Sequence, residues 1–246
     1  MSFWGGSKLR HCTFLSIFEF GITTLKLVGL IALMLFTSTA WAHNVADQDA
    51  AFLERLSGVK LIPLMYLGAK HMVTGYDHLL FLAGVIFFMH QFRDVFLYAT
   101  LFAVGHSTTL MMGVLAGIRA DAHIVDAVIG LSVVYKAFEN IGGFARMRVG
   151  IDTRLAVALF GLAHGFGLST KLQDLSLSQN GLVANMLAFN VGVEFGQFAA
   201  LALMLIVFTS WRASGMFYGT AYAANILIMT AGFILFGHQV TEYLES

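Results

Sequence analysis

One cysteine, Cys12, and one proline, Pro63, are all that 246 residues contain of the two types that most constrain a chain. The single thiol excludes an internal disulfide and any thiolate cluster, so a metal site here must draw on nitrogen and oxygen donors. Scarcity of proline removes the usual helix breaker, while 25 glycines supply small residues that let helix backbones approach. Charge is also sparse. Ionic residues make up 11% of the chain, and 14 basic side chains balance 14 acidic ones. There is thus no basic patch for nucleic acid and no acidic tail. No P-loop signature is present, which argues against nucleotide-driven work.

What is abundant is apolar surface. The chain is 58% hydrophobic with a mean hydropathy of +0.79, more than a soluble domain of this size buries. It reads as an integral membrane protein whose first partner is the lipid bilayer. Residues 1–42 carry Lys8, Arg10 and His11, then the apolar run from Leu27 to Phe36, then Ala40-Trp41-Ala42. This pattern predicts a signal peptide cleaved after Ala42, the alternative being an uncleaved N-terminal helix. Residues 43–60, with Asp47, Asp49, Glu54 and Arg55, form a short periplasmic or interfacial segment. Residues 61–246 are expected to form an all-α, six-helix transmembrane bundle, with spans near 61–89, 94–118, 122–144, 153–170, 182–210 and 217–240. The apolar runs are continuous, unlike the alternating strands of a barrel. Short connections predict that consecutive helices pack as antiparallel neighbours. Arg93, the Arg146, Arg148 and Arg154 group and Arg212 then fall on the cytoplasmic side of an inner membrane, with the mature N-terminus periplasmic.

Ionisable side chains inside these spans demand an explanation. An unpaired acid at the bilayer centre costs about 2.5–3.5 kcal/mol on insertion scales, so such groups are paired, protonated, hydrated or bound to a cation. His71, Asp77 and His78 lie in the first span, and on one helix His71 and His78 share a face two turns apart. His106, His164 and Glu194 occur in later spans. Asn190, Glu194 and Gln197 form a polar stripe on one helix. Glu139 and Asn140 add polarity to the third span, where Lys136 and Glu139 can neutralise one another as an i,i+3 pair. Asp126 and Lys70, nearer the ends, can snorkel. The twelve methionines are scattered as packing residues. Leu101-Phe-x-x-x-His106 and Leu159-Phe-x-x-x-His164 share a frame, and each is followed one helix later by an acid, Glu139 and Glu194. Imidazole and carboxylate together suit nickel, cobalt, zinc or iron.

His71-x-x-x-Gly75-x-Asp77-His78 resembles the His-Pro-x-x-Gly-x-Asp-His signature of the HupE/UreJ membrane proteins, with Met72 in place of the proline. Phe102-x-x-x-His106-Ser-x-Thr-Leu110, Phe138-Glu139-Asn140, Phe160-Gly-Leu-x-His164-Gly-x-Gly167 and Phe189-Asn-x-Gly-Val-Glu-x-Gly-Gln197 resemble the further motifs of its longer branch. The resemblance implies a six-helix protein and transition-metal movement, with His71, Asp77 and His78 as the metal-recognition motif. Nickel is the metal implied by members from hydrogenase and urease contexts.

The expected function is permeation of a divalent transition metal, nickel or cobalt foremost and zinc or iron next, by a transporter rather than an enzyme. His71 and His78 would replace water on the ion, Asp77 and Glu194 would balance its charge, and His106 and His164 would offer a second station. Glu139, Asn140, Asn190 and Gln197 would support them. Competing readings are an intramembrane metalloenzyme with Glu139 or Glu194 as acid or base, an accessory subunit with a structural polar core, and a bis-histidine haem protein. A homo-oligomer is compatible with each.

Overall fold

The computed structural model describes residues 58–173 and 180–246. The chain divides into two compact units, Met1–Asp49 and Ala50–Ser246, and every described residue belongs to the second. The signal-peptide reading of residues 1–42, and most of the polar segment after it, lie outside the described residues.

Among the described residues the secondary structure is entirely helical: α1 (Leu61–Thr74), α2 (Tyr76–Ile86), α3 (Phe92–Ala116), α4 (Ala122–Asn140), α5 (Gly143–Arg146), α6 (Thr153–Gln173), α7 (Leu182–Ala213) and α8 (Phe217–Glu245). Four of them, α3, α6, α7 and α8, are long and apolar enough to cross a bilayer. Their outer faces carry large apolar side chains such as Val104, Leu159, Phe195, Leu203 and Ile206, as a lipid-facing surface requires.

The first apolar stretch is not the continuous helix the sequence predicts. It breaks at Gly75, whose φ of −71° and ψ of 97° put one extended residue between α1 and α2. The break is well sealed, because the Gly75 amide donates to the His71 carbonyl at 2.9 Å and the Leu79 amide donates to the Gly75 carbonyl at 3.0 Å. The third stretch is also shorter than 122–144: α4 stops at Asn140, and Gly142, at φ +76°, turns the chain into the single turn of α5.

Helix pairing also departs from the expected succession of antiparallel neighbours. The three most extensive contacts join α1 to α7, α3 to α6 and α4 to α8, none of them adjacent in sequence. Glycine makes each possible. A Cβ on Gly68 would strike the Phe189 carbonyl, and one on Gly192 would strike the Met65 carbonyl, so α1 and α7 touch backbone to backbone. Gly161 lies against Phe102 and Gly165 against the His106 carbonyl, joining α3 to α6. Gly130 meets Phe236 while Gly232 meets Val134, joining α4 to α8. The registers show that the first two pairs run parallel and the third antiparallel. In lipid the hydrophobic effect does not drive helices together, so association depends on such close packing. Sequence proximity alone therefore does not select the partner.

One end of the bundle gathers the starts of α1, α4 and α7 with the finishes of α3, α6 and α8. It is tied by the Lys60 amide donating to Asn185 Oδ1 at 2.8 Å, Asn185 Nδ2 donating to the Gly58 carbonyl at 3.0 Å, and Gln173 Nε2 donating to the Ile118 carbonyl at 3.0 Å.

Candidate metal centre

Histidines from four helices meet near the middle of the bundle. His71 comes from the last turn of α1 and His78 from the first turn of α2. His106 and His164 each lie close to the midpoint of α3 and α6. The break at Gly75 aims the first two. A Cβ there would lie 2.9 Å from His78 Nδ1 and 3.1 Å from Asp77 Oδ1, so the motif's glycine is the space in which that pair sits. The parallel α3–α6 contact aims the other two. Gly165 lets α6 ride against the His106 carbonyl, and Thr109 Oγ1 donates to the Leu162 carbonyl at 2.7 Å across the same seam.

His78 is the hub of the site. Its ring centroid lies 5.2 Å from that of His71, 5.7 Å from His106 and 4.7 Å from His164. His106 and His164 are wholly buried and His78 nearly so, while His71 and Asp77 are partly open. Phe102 packs against His78, His106 and His164, and Phe81 against His164, giving the cluster an apolar wall.

Two sets of three donors are close enough to converge on one ion: His71, His78 and His106, and Asp77, His78 and His164. Within each set the donor atoms lie within 4.8 Å of one another. Ligand bonds of about 2.0–2.1 Å to a zinc-like ion need donors no more than ~4.2 Å apart, so small side-chain adjustments suffice. The nitrogens themselves favour this use. His71 Nε2, His78 Nε2, both nitrogens of His106 and His164 Nδ1 are buried without a hydrogen-bond partner. Buried polar groups are ordinarily paired, and leaving each unpaired costs about 1–3 kcal/mol. One nitrogen from each ring, turned toward its neighbours, fits a cation.

The tautomers agree. Asp77 Oδ1 stands 2.9 Å from His78 Nδ1; a proton held there leaves the lone pair on Nε2. Ser132 commits its one hydrogen to the Ile129 carbonyl at 2.6 Å, so towards His164 Nε2, 3.3 Å away, it can only accept. His164 then carries its proton on Nε2, and Nδ1 is free to bind. Ser132 was not expected from sequence; its spacing signal is weak, because serine in a membrane helix usually bonds its own backbone.

Not every expected residue joins the cluster. Glu194 is exposed and belongs to neither donor set. It stands two residues from both Gly192 and Gly196, which face α1; two residues turn a helical side chain through about 200°. Asn190 is buried with both amide atoms unpartnered, and Gln197 Nε2 donates to the Ala99 carbonyl at 2.9 Å. Glu139 and Asn140 form a separate polar layer. Lys136 Nζ lies 2.5 Å from Glu139 Oε2, and the Thr153 hydroxyl donates to the other carboxylate oxygen. Asn140 Nδ2 donates to the Gly84 carbonyl at 2.8 Å and to Asn225 Oδ1 at 2.9 Å. Asp126 pairs with Lys171 at 2.7 Å. The shared frame of residues 101–106 and 159–164 marks the two helices that pack on each other, but its following acids are not equivalent, since Glu139 is paired inside and Glu194 faces out.

A family model described as HupE / UreJ protein matches residues 47–246. No curated protein and no solved structure matches the chain.

Proposed function

The chain belongs to the HupE/UreJ family, and from that premise we propose that it is an inner-membrane permease whose substrate is a divalent transition metal, nickel or cobalt foremost. The observation that carries this reading is the set of five partnerless ring nitrogens around His78 in the middle of the bundle. Neutral imidazoles replace water on the ion one at a time, and Asp77 supplies the negative charge.

The two donor sets share His78 and so cannot both be filled. An ion held by His71, His78 and His106 passes to Asp77, His78 and His164 around the shared imidazole, a step in which Asp77 gives up its hydrogen bond to His78 Nδ1 and the ion moves to that side of the ring. Each set offers three donors, short of the four that close a structural zinc site. Incomplete, overlapping stations suit conduction, which requires binding strong enough to dehydrate the ion and weak enough to release it. Among the described residues Asp77 is the one carboxylate in the central donor sets, and Glu194 is exposed outside them. The mature N-terminus is periplasmic in this reading, with Arg146, Arg148 and Arg154 in the cytoplasm.

Uptake into proteoliposomes tests it. Vesicles containing the protein should accumulate radioactive nickel or cobalt well above those containing the His78→Ala, His164→Ala double variant. Equal uptake by the two, for nickel, cobalt, zinc and iron alike, overturns the permease reading.

A further inference from the structure

The seam between α3 and α7 carries polar groups that neither donor set uses. Two contacts fix its register. The Phe96 ring of α3 stacks on Phe198 of α7 with centroids 6.1 Å apart, and Gln197 Nε2 of α7 donates to the Ala99 carbonyl of α3 at 2.9 Å. As α3 advances from Phe96 to Ala99, its partner on α7 steps back from Phe198 to Gln197, in keeping with α7 starting at the end of the bundle where α3 finishes.

Asn190 lies seven residues before Gln197, two turns nearer the start of α7, and shares its face. The same step along α3 leads from Ala99 to His106. Ser107 follows directly, and at eleven residues or about three turns past Phe96 it keeps the face that meets α7. Depth in the bundle agrees. Asn190 stands eight residues after Leu182, where α7 starts, and His106 ten residues before Ala116, where α3 finishes. The ring of Phe189, the neighbour of Asn190, lies 6.3 Å from that of His71, so α7 passes the histidine cluster at this level.

Both polar residues are without partners. Asn190 is 6% exposed, and its Oδ1 and Nδ2 are buried without a hydrogen bond. Ser107 Oγ is buried and unbonded too, although Thr100, Thr108 and Thr109 of the same helix each donate to a carbonyl four residues back. Burying unpaired polar atoms costs stability, and leucine would occupy the place of Asn190 at less cost.

The donor set of His71, His78 and His106 holds three ligands. An ion on three protein donors keeps water in its remaining positions. That water, polarised by the ion, is a strong hydrogen-bond donor, and Asn190 Oδ1 and Ser107 Oγ are acceptors.

We propose that Asn190 and Ser107 form a polar seat on the α3–α7 seam that holds the water ligands of the ion bound by His71, His78 and His106. The seat rests on the permease reading for its ion, and its test reads binding without transport.

The test is cobalt(II) binding by the purified, tag-free protein in lipid nanodiscs, measured by equilibrium dialysis. Asn190→Leu removes both amide atoms at similar volume. It should weaken binding at least about tenfold, the scale on which groups beyond the direct ligands act, while the thermal midpoint of the metal-free protein stays level or rises. Ser107→Ala should weaken binding in the same direction by less. Asn190→Asp, which keeps the accepting oxygen, should bind cobalt at least as tightly as the wild type. The proposal is overturned if Asn190→Leu binds cobalt with wild-type affinity. It is equally overturned if Asn190→Asp loses affinity as Asn190→Leu does, since the amide then packs the seam and does not serve the ion. Uptake into proteoliposomes separates the two readings: cobalt binding that depends on Asn190 in a protein that moves no metal defeats the permease and leaves the seat standing, and uptake by a protein whose affinity ignores Asn190→Leu does the reverse.

Discussion

The rings of His78 and His164 meet edge to face with centroids 4.7 Å apart, although one side chain opens α2 and the other lies midway along α6. His78 also faces His71 and His106, so removing it dismantles both donor sets at once, whereas removing His71 spares the set of Asp77, His78 and His164. His78→Ala should abolish measurable uptake. His71→Ala should retain metal binding while slowing uptake at least about tenfold, a scale set by single-partner losses at metal sites. Parallel assays of uptake and of bound metal after gel filtration distinguish the two.

Gly75→Ala should impair the site without unfolding the protein. The added methyl meets His78 Nδ1 and Asp77 Oδ1 at about the distance of a hydrogen bond, so the pair must move. Gly75 itself already has the backbone angles of an ordinary extended residue, which alanine adopts without strain. The methyl also comes within 3.0 Å of the His71 carbonyl, so reduced metal affinity is expected with a modest fall in thermal midpoint, checked by titration and by thermal unfolding in detergent.

Close helix contact should be the most sensitive element of stability. Gly192→Ala places a methyl on the Met65 carbonyl and should destabilise the protein by about 1–3 kcal/mol, the usual range for overpacking. Gly219→Ala, where the new methyl meets nothing within 4 Å, should be neutral or slightly stabilising because alanine is the better helix former. Thermal midpoints of the two variants, read side by side, decide this.

The Lys136–Glu139 pair calls for a double-mutant cycle. The two side chains are 7% and 22% exposed, so Glu139→Gln leaves a buried ammonium without its counter-charge. A loss of about 3 kcal/mol is expected, and the Lys136→Met, Glu139→Leu variant should recover most of it. Additive losses would show that the two residues act independently.

The composition and the four membrane histidines made the class of protein and much of the centre legible, because ionisable groups in apolar runs need partners. His71, Asp77, His78, His106 and His164 each belong to a donor set. What was hidden depends on partners chosen in three dimensions. A helix can face any neighbour, so the sequence showed a polar stripe on α7 but not that Glu194 sits beyond its packed edge. The break before Asp77 rests on one glycine among 25 and has no propensity signature of its own.

The α1–α7 seam has a consequence for biosynthesis. Met65 and Gly192, which touch across it, are separated by well over a hundred residues. At about 5–20 residues per second, on the order of ten seconds pass between their emergence from the ribosome. Through that interval α1 has been delivered to the membrane with His71 aboard while its most extensive partner has not yet been made. The wall beside His71 is therefore the last side of the histidine cluster to be closed, and a chain that stalls before α7 leaves α1 with its packing face uncovered for membrane quality control to find.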